Sequence, residues 1–387
     1  MPTFFYGLFA KPIYDIKWMA IFIAQVAFFT QPICYVNMAT KSHQHAAVSL
    51  FSVNFFYGAI LAAITVLNWF GADRWWLGAL NLYLPQSMWL IPGILLTCFT
   101  LKFARRWIWL PVLCVFWVAG PIMGFCWPLH LPPDRPGSMY IRVMTCNAKN
   151  GKRDITALIN DILCYEPNVV LLQDAEHILN GPLGSFFREW NVRSFGQYVL
   201  ASKFPISESQ IRSISIPGEN YSLLRCELRM GGAVITVYNV HLETPREGLN
   251  AFRPVKRQPS YLPQAVQMFE NNVEARLIQA RTLSEYISKE QGPVIVAGDL
   301  NSPDASLACA MLRNAGLHDA FAESGKGYGY TYGHFLLEHR LPWMHFPWMR
   351  IDHIMTSSHF QSRRCWAGTE KASEHRPVIA DLILKRI

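Results

Sequence analysis

The feature that most constrains this chain is the uneven distribution of charge between its first third and the remainder. Residues 1–136 contain only 8 of the 35 Lys and Arg residues and only 3 of the 27 Asp and Glu residues. A segment nearly free of charge suits a lipid environment, where an ionised side chain is costly. The rest of the chain mixes both signs and is long enough to bury its own core. Two physically different regions are predicted, joined by the Pro-rich stretch LPPDRPGS at residues 131–138.

The N-terminal region contains four apolar stretches close to the roughly 20 residues that a helix needs to cross a bilayer. None of them contains Asp, Glu, Lys or Arg, and Trp residues stand near several of their ends, where indole rings favour the headgroup layer. The stretches are Trp18–Val36, Val48–Phe70, Leu77–Leu101 and Trp107–Trp127. We predict a transmembrane region over residues 1–130, with three or four helices, and a linker over residues 131–139.

The orientation of this region is predicted from the basic residues in its short loops. Three basic residues lie at positions 102–106, whereas the preceding loop has only Arg74. The positive-inside rule places the 102–106 loop in the cytoplasm, so the C-terminal region is predicted on the outer, periplasmic or extracellular face of an inner or plasma membrane. Whether Trp18–Val36 crosses the bilayer stays open, because a crossing would put Lys11 and Lys17 outside.

From residue 140 onward the pattern changes to alternating strand and helix signals. YIRVMTCN reads as a strand, ITALINDILCYEP as a helix ended by Pro, and NVVLLQD as a strand buried on both faces. The same alternation continues through AVITVYNVHLE, NVEARLIQARTLSEYIS, VIVAGDLN, RIDHIMTS and PVIADLIL. Residues 140–387 are therefore predicted to form an α/β domain. Its cysteines show neither paired nor CxxC spacing, which indicates neither a disulfide framework nor a zinc site.

Polar residues stand at or near an end of each predicted strand. In chain order they are Asn147; Gln173, Asp174 and Glu176; His241 and Glu243; Asp299 and Asn301; Asp352 and His353; Glu374 and His375. Each alone has an ordinary structural explanation, such as an Asx turn in GDLN. Six such groups in one domain indicate a functional site, because strand ends in an open sheet converge on one edge.

The chemistry open to these groups is restricted. The sequence has no G-x-S-x-G, Walker, HExxH or dinucleotide-binding motif. Asp174 and Glu374 suit a hard divalent cation such as Mg²⁺, and the amides of Asn147 and Asn301 can donate to phosphate oxygens. Histidine is a natural base or transition-state donor. Together these groups favour metal-assisted hydrolysis of a phosphoester.

The order of these motifs resembles the endonuclease/exonuclease/phosphatase superfamily of metal-dependent phosphoesterases. The resemblance covers about residues 140–387 and rests on MTCNAKNG, PNVVLLQD, YNVHLETP, VIVAGDLNSP, RIDHI and SEHRPV. An apolar N-terminus before N-x-K-x-G and HLETPR resembles a bacterial membrane-anchored branch. The resemblance implies a four-layer α/β sandwich, in which two packed β-sheets are flanked by helices.

The resemblance also implies a role for each residue at the catalytic centre. His241 would contact the scissile phosphate, and Asn301 would bind one of its oxygens. Asp299 would position or deprotonate the attacking water. Asp352 would orient His375, which would act as a general base or as a transition-state stabiliser.

On the metal side, the resemblance implies that Asp174 and Glu374 bind Mg²⁺ or Mn²⁺, and that Asn147 helps at the metal or binds phosphate. The family usually has Glu and Asp, respectively, where this chain has Asp174 and Glu374. We interpret the two departures as a compensating exchange of carboxylate length. The alternatives are a site with weakened metal affinity, or Glu176 in place of Asp174.

The substrate is predicted only as a phosphodiester of nucleic acid or of a phospholipid headgroup. A net charge of only +3 beyond residue 136 disfavours a strongly electrostatic nucleic-acid binder, although NAFRPVKRQ forms a local basic and aromatic segment. Anchoring at a bilayer would concentrate lipid substrates. No protein partner is indicated. The alternative function is that of a catalytically decayed, membrane-anchored binding or assembly protein.

Overall fold

The computed structural model describes residues 41–128, 139–216, 219–333, 343 and 346–385. The predicted first span, Trp18–Val36, and nearly all of the predicted linker lie outside the described residues. The chain divides into two compact units. The first contains the described residues up to Gly71 together with Pro85–Phe125, and the second contains Ala72–Leu84 together with the chain from Cys126 onward.

The described chain before residue 123 is largely helical. Its helices are α1 (Lys41–Phe70), α2 (Trp76–Tyr83), α3 (Leu90–Phe103) and α4 (Trp109–Trp117). Within the described residues, two stretches are long and apolar enough to cross a membrane, Ala47–Phe70 and Gln86–Phe103. Both expose large apolar side chains, including Phe56 at 67% and Ile91 at 61%.

Two of the predicted spans differ from the structure. The stretch Leu77–Leu101 is interrupted, because Leu84 is extended before Pro85 and ends helix α2 there. The stretch Trp107–Trp127 contains the nine-residue α4 and then a five-residue π-helical turn that includes Pro121. Neither helix of that stretch reaches the length of a spanning helix, and proline removes a backbone donor inside it.

The second unit contains two six-stranded mixed sheets. One sheet has the order β11-β12-β1-β2-β4-β3, and the other has the order β5-β6-β7-β8-β10-β9. The strands are β1 (Met139–Asn147), β2 (Val169–Gln173), β3 (Asn191–Phe195), β4 (Tyr198–Ser202), β5 (Ile206–Ile216), β6 (Glu219–Met230), β7 (Ala233–His241), β8 (Val294–Asp299), β9 (Leu317–Asp319), β10 (Asp352–Ser357), β11 (Phe360–Ala367) and β12 (Val378–Leu384). The helices, besides α2, are α5 (Ile155–Tyr165), α6 (Pro182–Phe186), α7 (Arg246–Asn250), α8 (Leu262–Ile287), α9 (Leu307–Asn314) and α10 (Ala320–Ser324).

The two sheets pack face to face. Successive residues of a strand point to opposite faces, so one set of side chains lies between the sheets and the other set faces outward. Val143 of β1 and Ile295 of β8 lie in one apolar cluster between the sheets. Their chain neighbours point outward: Met144 packs with helix α5, and Val296 packs with helix α8. This arrangement of helices, sheet, sheet and helices confirms the predicted four-layer α/β sandwich.

Helix α2 belongs to an outer layer of this sandwich. Ala79 is fully buried and Tyr83 is 5% exposed, and both lie in the apolar cluster that includes Phe269 of helix α8. The predicted boundary near residue 130 therefore does not coincide with the compact units, since the segment 72–84 contributes to the core of the second unit.

A buried ion network fastens the loop before β10 to the rest of the second unit. Arg350 is 2.7 Å from Asp319 and 2.7 Å from Asp304, and His353 Nδ1 is 3.0 Å from Asp319. Burial opposes ionisation of Asp319, but the charges of Arg350 and His353 outweigh it and hold its pKa well below the usual range. Arg350 neutralises these carboxylates, so the network is structural.

Replacing Arg350 with Met is expected to lower the free energy of unfolding by about 3–5 kcal/mol, because it removes the guanidinium that offsets the charge of the buried Asp319 carboxylate. The measurement is chemical unfolding of the full chain in detergent, followed by tryptophan fluorescence. Arg313→Met is the control, since Arg313 pairs with the same Asp304 at 3.5 Å in a more exposed position. The control should change by less than about 1 kcal/mol; equal losses in both variants would contradict the structural role of the network.

Candidate active site

Strand pairing brings the polar strand ends together at one edge of each sheet. Strands β1 and β2 are parallel and end side by side, with Asn147 opposite Gln173. Strands β7 and β8 are also parallel, with His241 opposite Asp299. The antiparallel β10 begins where β8 ends, so Asp352 lies opposite Asp299. The register of the ladders thus places four predicted site residues at strand ends: Asn147, His241, Asp299 and Asp352.

The turn after β8 depends on local backbone geometry. Asp299 Oδ1 accepts a hydrogen bond from the Asn301 backbone N–H at 2.9 Å, which makes GDLN an Asx turn as well as part of the site. Asn301 has a left-handed backbone, with φ of 47°, a conformation that Asn tolerates better than most residues. A Cβ on Gly298 would lie 1.9 Å from the Val240 carbonyl oxygen, so only glycine fits there.

His375 and Asp352 form a buried pair. His375 Nδ1 is 3.0 Å from Asp352 Oδ2 and 3.8 Å from Asp299 Oδ2. The ring of Tyr332 stacks on the imidazole with centroids 4.4 Å apart. Burial by itself would lower the pKa of His375, but the carboxylates of Asp352 and Asp299 outweigh it and raise the pKa above its usual value. The pair therefore favours an imidazolium whose Nδ1 donates to Asp352.

Asp299 also contacts residues from both sheets. Asn147 Nδ2 donates to Asp299 Oδ2 at 3.0 Å, and His241 Nε2 lies 3.6 Å from the same oxygen. His241 Nδ1 donates to Gln197 Oε1 at 2.6 Å, which orients the ring with Nε2 toward Asp299. One carboxylate is thus surrounded by an amide and an imidazole that can both contact phosphate.

The two carboxylates among the predicted metal ligands, Asp174 and Glu374, each face a basic side chain. Asp174 Oδ2 is 2.7 Å from Lys149 Nζ, and its other oxygen is 3.5 Å from His241 Nδ1. Burial would raise the pKa of Asp174, but these two neighbours outweigh it and lower the pKa. Glu374 pairs with Arg246 at 3.6 Å. Both carboxylates therefore lie in an electropositive setting suited to binding anions as well as cations.

Glu176 lies outside the contacts described for Asp174. Its side chain is 62% exposed, and its ion pair is with the more exposed His177 at 3.9 Å. The alternative in which Glu176 replaces Asp174 as a ligand therefore has no support from the contacts of this residue.

The residues present fit a hard divalent cation, because most of their donor atoms are oxygens. Ligand atoms of Asp299, Asp352 and His375 all lie within 4.8 Å of one another. Of these, His375 is already hydrogen-bonded to Asp352, and Asp299 to Asn147 and the Asn301 backbone. In contrast, Glu374 Oε2 is buried and accepts no hydrogen bond in the described structure, and its ion-pair contact is Arg246 at 3.6 Å. A buried carboxylate oxygen without a hydrogen bond suits a cation ligand.

Four further residues join the site that the sequence did not assign to it. They are Lys149, Gln197, Arg246 and Tyr332. Lys149 and Arg246 lie inside the quoted motifs N-x-K-x-G and HLETPR, so a signal for them was present in the sequence. Gln197 and Tyr332 lie in a turn and a loop that carry no recognisable pattern, and only tertiary contacts reveal them.

The sequence profile of the Endonuclease/Exonuclease/phosphatase family matches residues 144–375, more than half of the chain. The chain belongs to this family, as its motifs predicted. Members of the family are generally phosphoesterases or nucleases, and they generally use divalent metals. Membership of the membrane-anchored branch stays a prediction. No curated protein matches the chain.

Several solved structures are similar to the second unit. A family protein from Bacteroides thetaiotaomicron is 15% identical, covers 64% of this chain and 99% of its own, and has a TM-score of 0.48. A family protein from Beutenbergia cavernae is 18% identical, with coverages of 64% and 72% and a TM-score of 0.46. A mannosyl-6-phosphatase from B. thetaiotaomicron is 15% identical, with coverages of 63% and 100% and a TM-score of 0.47.

The Lys149–Asp174 ion pair leads to a prediction about cation affinity. Replacing Lys149 with Met should tighten Mn²⁺ binding roughly fivefold, or about 1 kcal/mol, because the ammonium no longer competes for the Asp174 carboxylate. Isothermal titration calorimetry on the full chain in detergent measures this change. Lys152→Met is the control, since Lys152 is an exposed lysine on the same loop. Unchanged or weaker Mn²⁺ binding in Lys149→Met would show that Lys149 does not compete with the cation.

Proposed function

We propose that this chain is a membrane-anchored, divalent-metal-dependent phosphoesterase that hydrolyses a phosphodiester by attack of water. The observation that carries the proposal is the contact network around one buried carboxylate. Asp299 is hydrogen-bonded to Asn147 and lies within 4 Å of both His241 and the His375–Asp352 pair. Family membership supports the same chemistry.

In this mechanism the residues divide the work between water and phosphate. Asp299 orients the attacking water and accepts its proton, since it is buried and forms no ion pair with Lys or Arg among the described residues, whereas Asp352 is engaged by His375. His375 donates from Nε2 to a phosphate oxygen, because its Nδ1 is held by Asp352. His241 and Asn301 bind further phosphate oxygens. The phosphate-binding donors and the Asp299 carboxylate are thus already in position where the transition state gains charge.

A bound Mg²⁺ or Mn²⁺ would polarise a phosphoryl oxygen and offset the charge that develops during attack. Asp174, Glu374 and Asn147 would hold it. Lys149 and Arg246, beside the two carboxylates, would bind anionic substrate oxygens once the cation occupies the site.

The membrane anchor is supported by the two apolar helical stretches, Ala47–Phe70 and Gln86–Phe103. Because Ala72–Leu84 and the chain from Cys126 onward form one unit, both must lie on the same side of a bilayer. If Gln86–Phe103 crosses, residues 104–125 would have to return the chain, and they do so without a single helix of spanning length. The positive-inside rule applied to the basic 102–106 loop supports a catalytic unit on the outer face.

The first test is turnover by the full chain, because removal of residues 72–84 would take away part of the core. The substrates are single- and double-stranded DNA, RNA and phospholipid in mixed micelles, each with Mg²⁺ or EDTA. We expect metal-dependent cleavage of one class, and His375→Ala should reduce it at least 100-fold. His318→Ala is the control, since its side chain is 54% exposed and pairs only with Glu323 among the described contacts.

The outcome separates the two functions that remain. Cleavage of phospholipid or of nucleic acid names the substrate class. A folded chain that cleaves nothing and binds no Mg²⁺ would instead support the decayed, membrane-anchored binding protein.

The exchanged carboxylates lead to a second prediction. Asp174→Glu alone should raise the Mg²⁺ concentration for half-maximal activity roughly tenfold, because a longer side chain crowds a site built around Glu374. The double variant Asp174→Glu with Glu374→Asp should restore the wild-type value. Glu176→Asp is the control, since Glu176 is exposed. A double variant no better than the single one would rule out coupling between the two positions.

A further inference from the structure

The segment 72–84 has an unusual place in this chain. In sequence it lies between the two apolar helical stretches, Ala47–Phe70 and Gln86–Phe103. In the structure it belongs to the compact unit that holds the active site. A connection of this kind could simply lie over the surface, but Ala72, Ala79, Leu82 and Tyr83 are buried, and two of its side chains bond to the chain that follows Asp299.

Tyr83, near the end of this segment, contacts the active-site turn directly. Its Oη donates to the backbone carbonyl of Asn301 at 3.0 Å, in a buried position. The carbonyl of Tyr83 in turn accepts from Trp348 Nε1 at 3.1 Å, and the guanidinium of Arg276 lies 5.6 Å from the centre of its ring. Trp348 thus fixes the backbone of Tyr83 and Arg276 lies against its ring, which directs the hydroxyl toward the Asn301 carbonyl.

A second residue of the same segment, Asp73, contacts the chain a few residues after that turn. Both carboxylate oxygens of Asp73 accept from the Leu307 backbone N–H, at 2.8 and 3.0 Å, where helix α9 begins. The stretch from Asn301 to Leu307, which follows the catalytic Asp299, is therefore bracketed by Tyr83 and Asp73.

We propose that the segment 72–84 is a positioning element of the active site and that Tyr83 is its key residue. This inference rests on the proposed function, because it concerns the same site. Asn301 has the left-handed backbone that lets its N–H reach Asp299 Oδ1. A conformation of that kind is intrinsically unfavourable for residues other than glycine, so it needs support from its surroundings. A hydrogen bond to the Asn301 carbonyl fixes the next peptide group and selects this conformation.

The position of Tyr83 also links the site to the proposed anchor. Tyr83 precedes Gln86, where the second apolar stretch begins, by three residues. The active-site turn is therefore fastened to chain that leads directly into that stretch. The side chain that orients Asn301 and Asp299 comes from the anchor region of the sequence, not from the family domain at residues 144–375.

The test compares Tyr83→Phe with Tyr286→Phe in the full chain. Each change removes one hydroxyl that donates to a backbone carbonyl at 3.0 Å and keeps the ring, but Tyr286 bonds Ser213 in an exposed position outside the site contacts described above. The probe is bis(4-nitrophenyl) phosphate with Mg²⁺. Tyr83→Phe should lower kcat roughly fivefold to tenfold, the value of one buried hydrogen bond, with KM changed less than twofold. Tyr286→Phe should leave both unchanged.

A second measurement does not depend on turnover. Hydrogen–deuterium exchange of the peptide that contains Asp299–Ser302 should speed up in Tyr83→Phe and not in Tyr286→Phe, since the turn loses its support. If the wild type hydrolyses nothing but exchange responds as expected, the proposed function fails and the positioning role stands. Unchanged exchange and kcat in Tyr83→Phe, or a kcat loss explained by a matching fall in Tm, would overturn the inference.

Discussion

The hydrogen bond from Asn147 to Asp299 is the interaction on which the site depends, because it joins the ends of two strands from different sheets. Each sheet buries its inner face against the other. This packing brings Asn147 Nδ2, at the end of β1, to 3.0 Å from Asp299 Oδ2, at the end of β8. Asp299 then organises its surroundings: it accepts from the Asn301 backbone and lies beside His241 and His375. A buried carboxylate is costly to hold unless its oxygens are satisfied, and here each has a donor.

Two clusters of the same composition show how partners decide the role of a residue. In one cluster Arg350 pairs with Asp304 and Asp319, and His353 also pairs with Asp319. In the other, Asp299, Asp352 and His375 form no ion pair with Lys or Arg among the described residues. Asp352 and His353 are adjacent in RIDHI but serve different clusters, because neighbouring residues of a strand point to opposite faces. One short motif therefore supplies both a residue of the Arg350 network and a residue of the proposed catalytic pair.

The apolar N-terminal region shows why hydropathy has limited resolution. Leu77–Leu101 reads as one uncharged stretch, yet its first part is a helix packed in the catalytic unit and its last part belongs to a candidate membrane span. Both environments select the same apolar residues, so composition cannot separate them. Pro85 indicates a helix boundary at Leu84, but the sequence does not show whether the residues before or after that boundary pack against protein.

The sequence by itself determined the family, the four-layer fold and the strand-end residues, from Asn147 to His375. It could do so because period, turn chemistry and motif order are local properties that each segment carries alone. Only the tertiary structure decided which neighbours act on those residues. Gln197 beside His241, Tyr332 on His375 and Tyr83 beneath Asn301 are examples, the last pair 218 positions apart in the chain. Such contacts arise when layers pack, and the packing of distant segments leaves no periodic signal in any one of them.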